Sequence, residues 1–259
     1  MNYSYSRISG YFTCARSWWH RYVNNTPTKK KIFADDALIC GSAMHHCIQD
    51  GVDEGLSYYE KQFNNYIGDR HVNEELKFIH FGTPLNDFFG EHQHEIKLKS
   101  NDGFVGFIDD YDENTKTVID FKYSNNRSYL SSPQIHLYKY FGEQQGLEID
   151  KLGFLFVPKV AIRQRKTETL DSFRERLMET MVSKTPEFIE IPYNEVKIYN
   201  FMRDKEIVED VYNNHSDEIE YFPCDPDKKF CRFCDYQYYC IIQKYGINDG
   251  KDIECEDLY

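Results

Sequence analysis

FVGFIDDYDENTKTVIDFKY, residues 104–123, is the segment from which the architecture can be worked out. Two apolar runs rich in β-branched and aromatic residues flank the polar turn Glu113-Asn114-Thr115-Lys116. Two antiparallel strands are therefore predicted, over Phe104–Asp110 and Thr117–Tyr123. Side chains alternate between the two faces of a strand. Asp120 and Lys122 thus share one face, while Ile119 and Phe121 point the other way, into a core. On the first strand Phe107, Asp109 and Tyr111 share a face, and the hairpin brings Asp109 beside Asp120. Two carboxylates held close repel each other unless one is protonated or a cation lies between them. A hard divalent cation with oxygen ligands suits that place. Lys122 then stands next to the cation, able to position water or to stabilise developing negative charge.

Working outward, Asn101-Asp102-Gly103 is a turn, and the run before it, Glu95–Lys99, is a third strand. Glu95-Ile96-Lys97 has the same acid-x-Lys form as Asp120-Phe121-Lys122. It has no carboxylate on a preceding strand, so it reads as an ordinary strand with Glu95 at most an auxiliary carboxylate. Upstream, Tyr5 to Val23 reads as an aromatic helix with Cys14 in its middle. Asp35 or Asp36 caps a second helix over Ala37 to Gln49, and further helix is expected from Leu56 to about Phe89. Downstream come a helix from Ser132 to Gln145, a buried strand at Leu152–Val157 and a helix over Thr167–Ser183. A strand at Phe188–Ile191 and a helix over Asn194–Asn213 complete the order.

Composition bounds what such a chain can do. The 259 residues suit one large domain or two small ones, and no Pro/Gly/Ser-rich linker divides them. With 41% hydrophobic and 29% charged residues, disorder as the main state is excluded. Apolar runs such as Phe154–Val157 fall far short of the ~20 residues a membrane span needs. The opening MNYSYSRISG lacks the pattern of a secretory signal, so an intracellular, cytoplasmic setting is expected. Net charge is −12, which excludes a basic coat for generic duplex binding; any nucleic acid must be held locally.

Three further groups carry chemistry. Gly41-Ser42-Ala43-Met44-His45 lies on the second helix, where a small residue one turn before the histidine would allow close approach to the sheet. His45 could offer an imidazole to the same cation, which shifts preference toward manganese; the neighbouring His46 faces away. Gln134 and Tyr138, at i and i+4, share a helix face from which they could contact a phosphate or orient the lysine. Of the eight cysteines, expected in a reducing setting to serve metal or redox chemistry, Cys231, Cys234 and Cys240 form a C-x2-C-x5-C set. Cys14 is a fourth thiol for a soft metal centre, with Cys224 its local rival. Cys40, Cys47 and Cys255 read as plain thiols. Four thiolates suit either zinc or an iron–sulfur cluster.

In chain order, Cys14, Gly41…His45, Gly106…Asp109, Asp120-Phe121-Lys122, Gln134…Tyr138 and Cys231/Cys234/Cys240 resemble the motif series of the RecB-like branch of the PD-(D/E)XK nuclease superfamily. The likeness extends to the iron–sulfur nucleases of CRISPR spacer acquisition (the Cas-four family) and of AddAB, and spans nearly the whole chain. It implies an α/β restriction-endonuclease-like core, a mixed central sheet flanked by helices. It also implies a 4Fe–4S cluster on Cys14, Cys231, Cys234 and Cys240, clasping the N- and C-terminal segments. As an organisation, this gives one nuclease domain over 1–259, with the clasp at 1–30 and 223–245, the core at 35–160 and an elaboration at 161–222. His45, Asp109, Asp120 and the Phe121 carbonyl would ligate Mg²⁺ or Mn²⁺, Lys122 would assist the attacking water, and Gln134 and Tyr138 would support DNA. The resemblance thus implies a metal-dependent DNA exonuclease acting on single strands or ends, in recombination, repair or spacer acquisition, with protein partners in such a complex. The alternative is a non-catalytic iron–sulfur DNA-binding or adaptor module of the same kind of complex. A zinc-stabilised protein of unrelated function is a third reading.

Overall fold

The computed structural model describes residues 1–28, 32–224, 231 and 234–240, so Cys255 and the rest of the C-terminal segment beyond residue 240 lie outside the described residues. The chain divides into two units, Met1–Tyr5 with Ile32–Arg203, and Ser6–Lys31 with Asp204–Tyr259.

The first unit is built on five strands, β1 (Gln93–Lys99), β2 (Val105–Asp112), β3 (Thr117–Tyr123), β4 (Lys151–Val157) and β5 (Glu187–Ile191), in that spatial order. The β1–β2, β2–β3 and β4–β5 pairs are antiparallel, and β3–β4 is parallel. The sheet is therefore mixed, as expected. The parallel pair needs a crossover, and helix α6 (Gln134–Gln144) supplies it between β3 and β4. Helices α3 (Ala37–Gln49), α4 (Val52–Lys61), α5 (Asp69–Phe89) and α7 (Leu170–Val182) gather over one face of the sheet. There Ile119, Phe121, Tyr123, Leu155 and Val157 share one core with Met44, Ile48, Phe78, Phe81, Phe173 and Leu177. Full burial of each such side chain stabilises the fold by about 1.5–3 kcal/mol. On α6, Phe141 stacks on Phe104 with ring centroids 3.9 Å apart.

In the second unit the expected helix over Tyr5–Val23 is broken in two, α1 (Tyr5–Thr13) and α2 (Ala15–Tyr22). Cys14 adopts extended backbone between them (φ −163°). The same unit packs residues from the two ends of the sequence together. Trp18 stacks on Phe222, Arg16 Nε donates to the Phe222 carbonyl at 2.6 Å, Trp19 donates to the Ser216 carbonyl at 2.8 Å and Tyr239 to that of Pro27 at 2.8 Å. Helix α8 (Glu195–His215) completes the order of long helices.

Other differences from the sequence reading have local causes. The helix expected over Leu56–Phe89 is interrupted between α4 and α5, where Asn64 and Asn65 take positive φ values of 53° and 59°. Asparagine tolerates this left-handed region better than most residues. Strand β1 begins two residues before Glu95. Asp36, of the two aspartates considered, caps α3 through hydrogen bonds from Leu38 and Ile39 N–H.

The reading of Gly41 is corrected. A Cβ built there meets nothing within 4 Å, so a bare Gly41 is not what lets α3 approach its neighbours. The tight contact lies one helix on. A Cβ at Gly55 of α4 would stand 2.1 Å from Cys47 Sγ and 2.8 Å from the Ala43 carbonyl oxygen. Gly55→Ala should destabilise the protein by about 1–3 kcal/mol through overpacking. Gly41→Ala should be neutral or stabilise by up to about 1 kcal/mol through helix propensity. Denaturant unfolding of both variants checks the contrast.

Candidate functional site

Where β2 and β3 begin to part, the pairing gives way to side-chain chemistry. The ladder runs Asp112↔Thr117, Tyr111↔Val118, Asp110↔Ile119, and the next step places Asp109 opposite Asp120. There the Phe121 N–H donates not to a strand carbonyl but to Asp109 Oδ2, at 2.8 Å. Asp120 is fully buried, and Lys122 Nζ forms an ion pair with its Oδ2. Its Oδ1 has no hydrogen-bond partner among the described residues. A buried carboxylate oxygen without a donor is costly. An oxygen of this kind, buried and without a protein donor, has the chemistry of a cation ligand.

Helix α3 brings His45 over the same spot. Its Nε2 lies 3.0 Å from the Phe121 carbonyl oxygen and its Nδ1 3.8 Å from Asp109 Oδ2. Adjacent ligands of an octahedral ion with bonds of ~2.1 Å stand about 3 Å apart, so the imidazole and carbonyl are spaced as such a pair. His46, by contrast, bonds Asp50 at 2.7 Å and leans on Tyr58, away from the carboxylates.

Glu95, read as an auxiliary carboxylate at most, joins the group. One potential ligand atom each from His45, Glu95 and Asp109 lie within 4.8 Å of one another. The β1–β2 register explains its arrival. His94↔Asp110 and Ile96↔Ile108 are paired, which sets Glu95 opposite Asp109. Glu95 also takes φ 50° within β1, a left-handed value that is unusual for a glutamate. Such a conformation costs of order 1–3 kcal/mol and collects at functional sites. Gln49, buried at i+4 from His45, donates from Nε2 to the Asp109 carbonyl at 2.9 Å and to Glu95 Oε1 at 3.4 Å. Two sequence signals point to these residues, namely the hairpin register for Glu95 and the four-residue spacing from His45 for Gln49.

Gln134 and Tyr138 do share a face of α6, and Gln134 Nε2 donates to the Tyr138 hydroxyl at 2.6 Å. Tyr138 is buried close enough to Asp120 and Asp109 for their charges to act on it. Tyr129, exposed on the short helical turn Arg127–Ser131, has its ring centroid 5.3 Å from Lys122 Nζ.

Burial sets the electrostatics. It pushes the carboxyls of Asp109 and Asp120 each up to about 6, against the pull of Lys122. Desolvation, reinforced by Lys122, lowers His45 and keeps its imidazole neutral, the form that binds metals. Desolvation lowers Lys122, but Asp120 and Asp109 outweigh it and hold the ammonium above its ordinary value. Three carboxylates facing one ammonium leave a surplus of negative charge that a divalent cation would balance.

The cysteines gather in the second unit. Cys14 is buried, Cys231, Cys234 and Cys240 are half-buried and Cys224 is exposed. Cys224 Sγ lies 3.7 Å from Cys240 Sγ, and the charges of Cys14, Cys224 and Cys234 all act on Cys240. Burial pushes Cys240 up to about 12 and also raises Cys234, so these thiols stay neutral until a metal takes them as thiolates. Both Cys14 and its rival Cys224 are thus within the group. Cys40 and Cys47 are fully buried core thiols of α3, as expected.

A mixed sheet with two acids and an acid-x-Lys strand at the point where its hairpin opens defines a metal-dependent phosphodiester-cleaving class. A family model described as the PD-(D/E)XK nuclease superfamily matches residues 2–241. The chain belongs to that superfamily, whose nucleases use divalent metals, and the match supports a nuclease of some kind. No curated protein matches it significantly.

The raised carboxyls give a pH dependence. A carboxylate whose folded value lies above its unfolded one stabilises the fold in its neutral form, and that contribution is lost as pH rises through about 6. Cation binding requires the ionised form. Stabilisation by millimolar Mn²⁺, read as the rise in thermal midpoint, should therefore be small at pH 5 and grow steeply by about pH 7. An equal rise at both values would contradict the assignment.

Proposed function

We propose that the protein is a metal-dependent DNA exonuclease of the RecB-like kind, hydrolysing phosphodiester bonds at single strands or ends. The observation that carries this reading is the orphaned Asp120 oxygen, buried close enough to Asp109 and His45 for their charges to act on it. It lies next to the convergent group of His45, Glu95 and Asp109, which does not itself include Asp120. His45, Asp109, Asp120 and the Phe121 carbonyl would hold Mn²⁺ or Mg²⁺, with Glu95 as a further carboxylate. The bound cation would polarise a phosphoryl oxygen and acidify a water molecule.

The chain's own groups have separable tasks. Hydrolysis forms one bond from water oxygen to phosphorus and breaks the bond to the leaving sugar oxygen, which departs with a proton. Lys122, held charged by Asp120 and Asp109, acts as a hydrogen-bond donor and fixed positive charge rather than as a base. It orients the attacking water and neutralises charge that grows on the phosphoryl group. The Phe121 N–H fixes one Asp109 oxygen, which aims the other. Gln134 presents its amide from α6 with Tyr138 holding it, in position to support the substrate strand.

We further propose a 4Fe–4S cluster on Cys14, Cys231, Cys234 and Cys240. The grouping of Cys14, Cys234 and Cys240, with Cys14 at the break between α1 and α2, supports it. The cluster would tie the ends of the sequence together where aromatic packing already joins them. Recombination, repair or CRISPR spacer acquisition is the setting, inside a multiprotein complex.

End-labelled single- and double-stranded oligonucleotides with Mg²⁺, Mn²⁺ or EDTA test the activity. Asp120→Ala and Lys122→Ala should each lower cleavage by about 10³-fold or more, with circular dichroism unchanged. Full cleavage by both variants would contradict the reading, and a wild type that binds DNA without cutting it would favour the adaptor alternative. Anaerobically purified protein should be brown, with iron and broad visible absorption that Cys14→Ala removes. Zinc without iron would contradict the cluster.

A further inference from the structure

The segment after β4 carries a cluster of basic charge in an otherwise acidic chain. Residues 158–166 read PKVAIRQRK, with Lys159, Arg163, Arg165 and Lys166 and no acid. Val160 is buried and Ile162 packs against the core, which anchors the start of the segment. Arg163, Gln164, Arg165 and Lys166 then stand exposed.

The backbone of this loop is locked while its charges are left open. Glu168 accepts from the Arg165 N–H at 2.9 Å, and Arg176 grips Glu168 at 2.7 and 2.8 Å and the Arg163 carbonyl at 3.1 Å. Gln164 Nε2 closes onto the Glu168 carbonyl at 2.8 Å. The one acid within the turn, Glu168, is thereby engaged by Arg176. The side chains of Arg163, Arg165 and Lys166 make no hydrogen bond or ion pair among the described residues. Arg165 also acts electrostatically on Glu168, but a fixed backbone carrying three exposed cations without a hydrogen-bonded partner is a prepared anion-binding surface rather than a loose solvated tail.

Its position connects it with the catalytic strand. Strands β3 and β4 are parallel, with Lys122↔Phe156 and Tyr123↔Val157 in register, so both end on the same side of the sheet. Ser124 N–H donates to the Val157 carbonyl at 3.1 Å, and Asn125 makes a reciprocal pair with the Lys159 backbone at 2.8 and 3.0 Å. From Lys159 the chain reaches Arg163 within about 14 Å at full extension.

Resting on the nuclease reading above, we infer that the 163–166 loop is the track for the phosphodiester backbone of the substrate strand beyond the scissile bond. Its three open charges would each meet a phosphate. The net charge of −12 works against generic binding of a polyanion, so a local basic surface such as this one would guide the strand to Lys122. An acidic protein segment is the competing occupant. Continuity with the end of the catalytic strand favours nucleic acid.

The test measures binding of a labelled oligothymidylate by fluorescence anisotropy in Ca²⁺ over a range of NaCl concentrations, with steady-state cleavage in Mn²⁺ alongside. The Arg163→Gln/Arg165→Gln/Lys166→Gln variant should bind at least about ten-fold more weakly at ~0.1 M salt. Its log–log salt slope should be shallower by about two, at ~0.7 per single-strand phosphate contact. KM should rise with kcat unchanged, and the Arg163→Lys/Arg165→Lys/Lys166→Arg variant should retain wild-type affinity. Unchanged affinity and slope, or a loss of kcat alone, would overturn the inference. So would polyglutamate displacing the strand as well as an oligonucleotide of equal charge. Weakened binding by the variant when even the wild type fails to cut would uphold the track and defeat the nuclease reading.

Discussion

Two aspartates on neighbouring strands, both withdrawn from water, are the constraint around which this molecule is arranged. Asp109 and Asp120 repel each other, and burial has already pushed both to about 6. One ammonium, that of Lys122, lies against Asp120 and cannot satisfy both acids. The strain in this arrangement is electrostatic, and a divalent cation would relieve it. That dependence also explains why the ladder gives way at this point. A continuous hairpin would satisfy the Phe121 N–H with a carbonyl, whereas here the Asp109 carboxylate takes that hydrogen and is fixed in place by it.

The surrounding structure serves the same arrangement. The core under Ile119, Phe121 and Tyr123 holds β3 rigid, so side chains on its other face keep their aim. Helix α3, seated on that core, carries His45 and Gln49 one turn apart, and both reach the hairpin backbone. Glu95 departs from ordinary strand geometry to join them. A site spread over α3, β1, β2 and β3 is thus held by one sheet and one helix. The helix crossover between β3 and β4 adds Gln134 and Tyr138 from α6.

Much of this was legible in the residues, and the parts that were not share a physical cause. Alternation along residues 117–123 separates Asp120 and Lys122 from Ile119 and Phe121, and period-two geometry needs no tertiary information. The turn at Glu113–Lys116 then puts Asp109 across from Asp120. Glu95 was harder, because its carboxylate reaches the group through a register two strands away and a left-handed φ that pattern reading does not reveal. The spacing from His45 puts Gln49 on the same face of α3, but which groups it bonds, Asp109 and Glu95, depends on the tertiary packing of α3 on the hairpin. The opposite failure occurred at Gly41, where a small residue beside a histidine suggested close packing. The tight approach is instead made by Gly55, since helix contacts depend on neighbours far along the chain. The break at Cys14 was hidden for a similar reason: helical periodicity persists on both sides of a single extended residue.

The central claim is that one cation sits where Asp109 and Asp120 converge. Anomalous diffraction from crystals soaked in Mn²⁺, recorded above and below the manganese edge, addresses it most directly. The account predicts a peak at bonding distance from oxygens of both aspartates, the Phe121 carbonyl and His45 Nε2. An absent peak, or manganese bound elsewhere with the Lys122–Asp120 ion pair undisturbed, would contradict it.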